Sequence, residues 1–454
     1  MTTFDIRNRI HLELVELSGH VIAQRSWSAT LQADCLYRTV RLAKPDHRCR
    51  LLHGTQEIKP STPLVALDLS LGSCIQVVWI ARQTDSYKPG NTAFAAIKAN
   101  GSVVTWGRLP FHATPMGSAP THDVVHISHT FGAFAAILVG GSVVTWGDSQ
   151  SGADSSAVAA LLTEGVVQVV ATDGAFAAMK ANGSVVTWGR GGRGGDSSSV
   201  AEFLAEGVAQ VCGNCGAFVA RLSNGSVVTW GDSWGRIAIA VPEDTDVVHI
   251  CPTSIHAFCA FKANGSVVTW GSPHFGGDSS KVAQHLTEGV VQVCGTNTAC
   301  AALMIDGSVV TWGDDAAGGD SSGVASLLTE GVIELFSNYK DFVALKADGS
   351  VVFWGDTGFW SHEGNIISVT GSGGAFAAIR QNGCVVTWGD DAEGGDSSEV
   401  AALLTEGVVH ICGIEQAFAA IKADGSVVTW GQQVVGGDSS AVASLLTEGV
   451  VAIC

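Results

Sequence analysis

The sequence has no run of about 18 apolar residues, so no helix of it is expected to span a bilayer, despite a mean hydropathy of +0.29. Its start, MTTFDIRNRIHLEL, lacks the basic-then-apolar pattern of a signal peptide. Charge is scarce: Asp, Glu, Lys and Arg make up 15% of 454 residues, against a usual share of about a quarter. Basic charge is the scarcer sign, with 24 Lys and Arg against 42 Asp and Glu. Residues 1–85 carry +2 and the remainder −20, and a surface that acidic repels a phosphate backbone, which argues against nucleic acid as a partner. The 12 cysteines show no short disulfide-framework spacing, so they read as reduced thiols of an intracellular protein. With 46% apolar residues the chain can bury enough surface to offset its ordering entropy, which excludes disorder. Glycine is abundant, at 56 residues, but does not recur every third position, so a collagen-like rod is excluded.

What fills the chain instead is a repeat. GSVVTWG or a near copy occurs nine times, with its tryptophan at Trp106, Trp146, Trp188, Trp230, Trp270, Trp312, Trp354, Trp388 and Trp430. The spacings are 40, 42, 42, 40, 42, 42, 34 and 42 residues. In the unit from Gly165 to Glu206, VVQVV is β-branched and apolar and reads as a buried strand. AFAAMK and SVVTWG follow as a hairpin around Asn182-Gly183, a pair suited to a type I′ turn. The connector GGDSSxVAxxL reads as a short helical turn capped by Asp or Ser. Three-stranded sheets of this size cannot bury both faces alone, so the units must stack, and radial stacking gives a β-propeller. The first hairpin lacks a strand before it and the last strand, EGVVAIC, lacks a hairpin after it. Nine blades closed by the C-terminal strand satisfy both. The connectors after Trp106, Trp230 and Trp354 depart from GGDSS, and these tryptophans lie 124 and again 124 residues apart, as a triplicated three-blade parent would place them.

The strand–hairpin unit ending in TWG resembles the regulator-of-chromosome-condensation repeat across residues 93–454. The resemblance implies a propeller. It departs from the family where a His usually precedes the second strand: Ala93, Ala133, Ala175, Ala217, Ala257, Ala299, Ala375 and Ala417 stand there, with Asp341 in unit seven, and GGDSS replaces Gly-Gln-Leu-Gly. Residues 10–82 hold a hairpin turning at Ser18-Gly19, a helix from Ala29 to Lys44 ended by Pro45, and the runs RCRLLHGTQEI, STPLVALDL and SCIQVVWIAR. This segment resembles ubiquitin, a small α+β β-grasp fold. The organisation expected is a ubiquitin-like domain at 1–85, a linker at 86–92 and an all-β propeller at 93–454. By position, Leu17, Leu52 and Val78 match the apolar patch that ubiquitin offers to receptors. The chain runs past Arg82 rather than ending in Gly-Gly, so conjugation through this segment is not expected.

Each candidate site has a plain structural alternative. The tryptophans invite a UV-B-sensing reading, but each ends the same strand, as blade packing requires. Asp154, Asp196, Asp278, Asp320, Asp396 and Asp438 recur singly in DSS motifs, which suits turn capping better than calcium. Cys212 and Cys215 form a lone CxxC without the second ligand pair that zinc needs. Cys212, Cys251, Cys294, Cys412 and Cys454 share a strand position and read as small buried residues. His126, Gln168, Gln210, His249, Gln292, Glu334 and His410 share another and read as a solvated lining of the central channel. The three odd connectors are aromatic loops, and Phe111, Trp234, Arg236, Phe359 and Trp360 are their candidate binding residues. No catalytic set, phosphate loop or metal cluster stands out, and no cofactor is expected. With the sequence ending on the last strand, the catalytic domain of a HECT-type ligase is not expected. The reading is a non-enzymatic protein-interaction scaffold whose partners are ubiquitin-pathway receptors or basic proteins. Nucleotide exchange on a small GTPase and a ligase-subunit role are the alternatives the family resemblance brings.

Overall fold

A computed structural model describes residues 9–44, 48–60, 62–68, 72–80, 92–108, 119–231, 246–362 and 364–454. Among the described residues no helix is long and apolar enough to cross a membrane. The N-terminal part contains strands β1 (Arg9–Glu16) and β2 (Val21–Ser28), helix α1 (Asp34–Ala43), and strands β3 (Arg48–His53), β4 (Gln56–Ile58) and β5 (Cys74–Ile80). The sheet order is β2-β1-β5-β3-β4, with β1 and β5 parallel. Alternation sorts its two faces: Leu12, Leu14, Leu51, Ile75 and Val77 pack with Leu36, Tyr37 and Val40 of the helix. The Tyr37 hydroxyl donates to the Ile58 carbonyl at 2.6 Å, so the buried phenol is satisfied. The helix is shorter than the expected span from Ala29, because residues 29–33 form a turn bonded back to Thr62 and Leu64. The expected run STPLVALDL is a single 3₁₀ turn at Leu64–Ala66.

From residue 93 onward the chain forms nine small antiparallel sheets among the described residues. Sheets two to nine span 124–147, 166–189, 208–231, 247–271, 290–313, 332–362, 366–389 and 408–431. Sheet one combines 93–98 and 103–107 with the C-terminal strand 450–453, whose residues Ala452 and Ile453 pair with Ile97 and Ala96. Cys454 and Ala95 exchange two backbone hydrogen bonds at 2.9 and 3.0 Å.

The AFAA strands are buried on both faces because each middle strand lies between neighbouring sheets. Large and small residues interleave: Ala133 and Ala135 of sheet two meet Phe176 and Trp188 of sheet three. Phe94, Ala96 and Trp106 of sheet one share a cluster with Cys412, Ala417 and Ala419 of sheet nine. Sheets that each pack on the next in this way make a β-propeller.

Two local details differ from expectation. The Asn-Gly and Asp-Gly hairpins are type I turns with a left-handed glycine, not type I′. Gly183 donates to the Lys180 carbonyl at 2.9 Å with φ +79°, while Asn182 keeps negative φ. Asn182 instead turns its Oδ1 onto the Ser184 N–H and hydroxyl at 3.0 and 2.8 Å, which holds the turn without a second strained residue. The seventh connector is not a loop. Gly358–His362 forms a fourth strand on sheet seven. Buried Asp341, standing in the slot that is alanine elsewhere, accepts from the Thr357 N–H and hydroxyl at 3.0 and 3.1 Å and so fixes the turn into that strand. Burial pushes its carboxyl up from the ordinary carboxylate range.

Candidate functional site

The repeated polar residues are occupied structurally. Eight of the nine tryptophans pair across their hairpins with the phenylalanine of the middle strand, as Trp188 does with Phe176 at a centroid distance of 5.3 Å and 25°, while Trp312 faces Cys300. Six tryptophans donate Nε1 to a glycine carbonyl of the preceding connector, among them Trp188 to Gly152 and Trp230 to Gly194 at 3.0 and 3.1 Å. That glycine is required: at φ +95°, a Cβ on Gly194 would fall 2.5 Å from the Phe218 ring. Eight of the nine repeat tryptophans are buried. Packing accounts for them, whereas a light sensor needs them clustered on an exposed face.

The DSS aspartates are Asx caps. Asp196 Oδ1 accepts from the Ser198 N–H at 2.9 Å, and that bond with the serine hydroxyl holds its carboxyl below the usual range. The same pattern recurs at Asp154, Asp278, Asp320, Asp396 and Asp438. The turns they start are 3₁₀, as at Ser322–Leu327, and only the one after Asp196 runs on into an α-helical turn, Ala201–Leu204, among the described residues. Among the described residues no group of three or more His, Cys, Asp or Glu is placed to hold a metal. Cys251, Cys259 and Cys300 are buried together between sheets five and six, and burial pushes the Cys300 thiol up to about 12, where it stays protonated.

The polar position on the first strands is a partial correction. Gln292, buried, donates from Nε2 to the Leu335 carbonyl at 2.6 Å and accepts from the Leu335 N–H at 3.0 Å. Gln210 grips Ile250 in the same two-point way, at 2.8 and 3.1 Å. These side chains join the first strand of one sheet to that of the next, where no backbone ladder runs. Ser128 and Thr370 do the same with one bond each, to the Val169 and Ile411 carbonyls. Sequence pattern hides this, because the bond crosses from one repeat to another.

Of the expected binding residues, Phe111, Trp234 and Arg236 lie outside the described residues. Phe359 sits on the fourth strand of sheet seven, 51% exposed, and its ring lies over Gly323, whose Cβ would come within 3.1 Å of it. It covers the neighbouring connector. Trp360 pairs with Phe353 in the backbone ladder. Leu52 and Val78 lie on the sheet face opposite α1, diagonal to each other because Arg50 pairs with Val78 and Leu52 with Gln76. Leu17, at the turn after β1, is 69% exposed.

No family model matches the chain, and no curated protein matches it. Among solved structures it is similar to human WBSCR16, at 15% identity over 54% of this chain and 80% of that one, with a TM-score of 0.34. It is similar to yeast RCC1 (Prp20), solved bound to Kap60, at 14% identity over 57% of this chain and 80% of that one, TM-score 0.37. A third is the WD40 ectodomain of the Arabidopsis thaliana receptor kinase ACR4, at 17% identity over 61% of this chain and 96% of that one, TM-score 0.37.

Proposed function

We propose that the chain is a nine-bladed ring closed by its C-terminal strand, joined to a ubiquitin-like module, and that it acts as a non-enzymatic protein-binding scaffold of the ubiquitin pathway. The sheet order β2-β1-β5-β3-β4 with one helix across it is the β-grasp arrangement and supports the module's assignment. The observation that carries the function is the outer face of that sheet. There Leu52 and Val78 sit diagonally across the β3–β5 pair, with Leu17 at the adjoining turn, while the other side of the sheet is filled by the helix. An apolar cluster with polar neighbours such as Arg50 and Glu57, which pair at 3.6 Å, suits a small helical receptor. The DSS aspartates and six of the tryptophans are bonded within the propeller, which favours surfaces over a chemical centre as the means of action.

The test is titration of the whole chain with a ubiquitin-interacting helical peptide, followed by fluorescence anisotropy. Saturable binding that Leu52→Ala and Val78→Ala each weaken at least ten-fold, about 1.4 kcal/mol, supports the proposal. Binding that ignores both substitutions, or none at all, overturns it.

A further inference from the structure

One end of the propeller carries an apolar ring that the blade packing does not use. In every sheet the first strand has a register shift at its second residue, which leaves that residue without a partner opposite. At this bulge stand Val125, Val167, Val248, Ile367, Val409 and Val451, all 43–61% exposed. From sheet two to sheet nine the first strands of successive sheets lie against one another, so these side chains follow one another along one end rather than standing as scattered points.

Charge surrounds the ring. Two residues before the first strand stand Glu164, Glu206, Glu288, Glu330, Glu406 and Glu448, all exposed, and among the described residues none is in an ion pair. Asp123 and Asp246 stand directly before theirs, the latter 3.8 Å from Lys262. The lysines that share this end are engaged elsewhere: Lys98, Lys180, Lys346 and Lys422 donate Nζ to leucine carbonyls at 2.9–3.1 Å.

One sector is already covered. Val291 holds the same bulge position in sheet six yet is 3% exposed, and helix α1 lies against its strand. Ala43, at the helix's C-terminal end, borders a groove of about 850 Å³ with Val248, Glu288 and Val290. The helix, DCLYRTVRLA followed by Lys44, mixes aliphatic and basic residues.

We propose that this end of the propeller is a docking surface for cationic amphipathic helices; the C-terminal end of α1 borders its margin at sheets five and six, while the apolar face of α1 is turned to its own sheet. Aliphatic side chains of the partner would enter the valine ring and its lysines or arginines would face the glutamates. The proposal rests on the scaffold reading but uses a different surface, so the two can fail separately.

The probe is a fluorescein-labelled Lys/Leu peptide of about 18 residues patterned as an amphipathic helix, titrated into the whole chain at about 0.1 M salt. Three variants decide, each checked for an unchanged circular dichroism spectrum. One combines Glu164→Gln, Glu206→Gln, Glu406→Gln and Glu448→Gln. The second combines Val167→Ser, Val409→Ser and Val451→Ser. The third neutralises as many exposed acids elsewhere: Glu202→Gln, Asp315→Asn, Asp391→Asn and Glu399→Gln. The first two are expected to weaken binding at least ten-fold and the third less than two-fold. Equal loss in the first and third, no loss in the second, or no binding by the unmodified chain overturns the proposal. A normal response to the ubiquitin-interacting peptide in the same preparations shows that the scaffold reading stands regardless.

Discussion

Phe176→Ala is expected to destabilise the propeller far more than Cys300→Ala, although both side chains occupy the same position of the middle strand. Phe176 is fully buried, stacks on Trp188 at 5.3 Å and lies against Gly152 of the preceding connector. Truncating a buried phenylalanine costs about 3–5 kcal/mol, of which the aromatic pair supplies about 0.5–1.5. In sheet six Cys300 takes the place of the phenylalanine beside Trp312 and Gly276. Removing one sulfur there deletes roughly a methylene's worth of buried surface, about 1 kcal/mol. Urea unfolding followed by tryptophan fluorescence reads both as shifts in midpoint at constant slope. Each sheet packs on the next, so the loss of one passes to its neighbours and a single transition should move as a whole. Equal shifts for the two variants, or a shift below about 1 kcal/mol for Phe176→Ala, would refute the account of how phenylalanine and tryptophan lock the blades.

Four further outcomes rest on the same structure. Gln292→Leu strands the Leu335 N–H and carbonyl between sheets six and seven and should lose about 1–3 kcal/mol in the same urea assay, while Gln168→Leu, at the matching position of sheet three, loses less. Gly323→Ala pushes a Cβ against the Phe359 ring; the loss should shrink when Phe359→Ala is added, and an additive double variant would contradict the contact. The six Asx carboxylates, lowered by their serine bonds, stabilise the fold above the ordinary carboxylate value, and that contribution is lost as pH falls through it toward the depressed values. Glu393 and Glu415, raised by burial, act in the opposite direction, so Glu393→Gln and Glu415→Gln should each raise the melting temperature at pH 7.

The sheets were readable because each one is written out in a repeat whose strands and turns are local. The tryptophan at the end of each third strand and the glycine after each hairpin turn leave little choice of register. What local pattern concealed depends on neighbours in other repeats. The run Val166-Val167-Gln168 has no alternation, so nothing in it marks a bulge or points one valine outward. Gln292 looks like a channel residue until sheet seven brings Leu335 alongside it. Local pattern places the Asn-Gly turn but not its type, because the asparagine side chain supplies the closure that a second positive φ would otherwise supply. The fourth strand of sheet seven was missed as well. Its signals were present in Asp341, alone among alanines, and Gly323, alone in the slot held by Ala157, Ser199, Lys281, Glu399 and Ala441, but neither has meaning until Thr357 and Phe359 stand beside them.

In the proposed ring the C-terminal strand completes the first sheet and so closes the propeller. Ala95→Cys places a thiol directly opposite the native Cys454, at a backbone-bonded pair whose Cα spacing of about 5.5 Å suits a disulfide. After mild oxidation of dilute protein, mass spectrometry of the proteolysed monomer should find the peptide bearing residue 95 linked to the C-terminal peptide. Absence of that link, or its appearance only between two copies of the chain, would contradict closure by the shared strand.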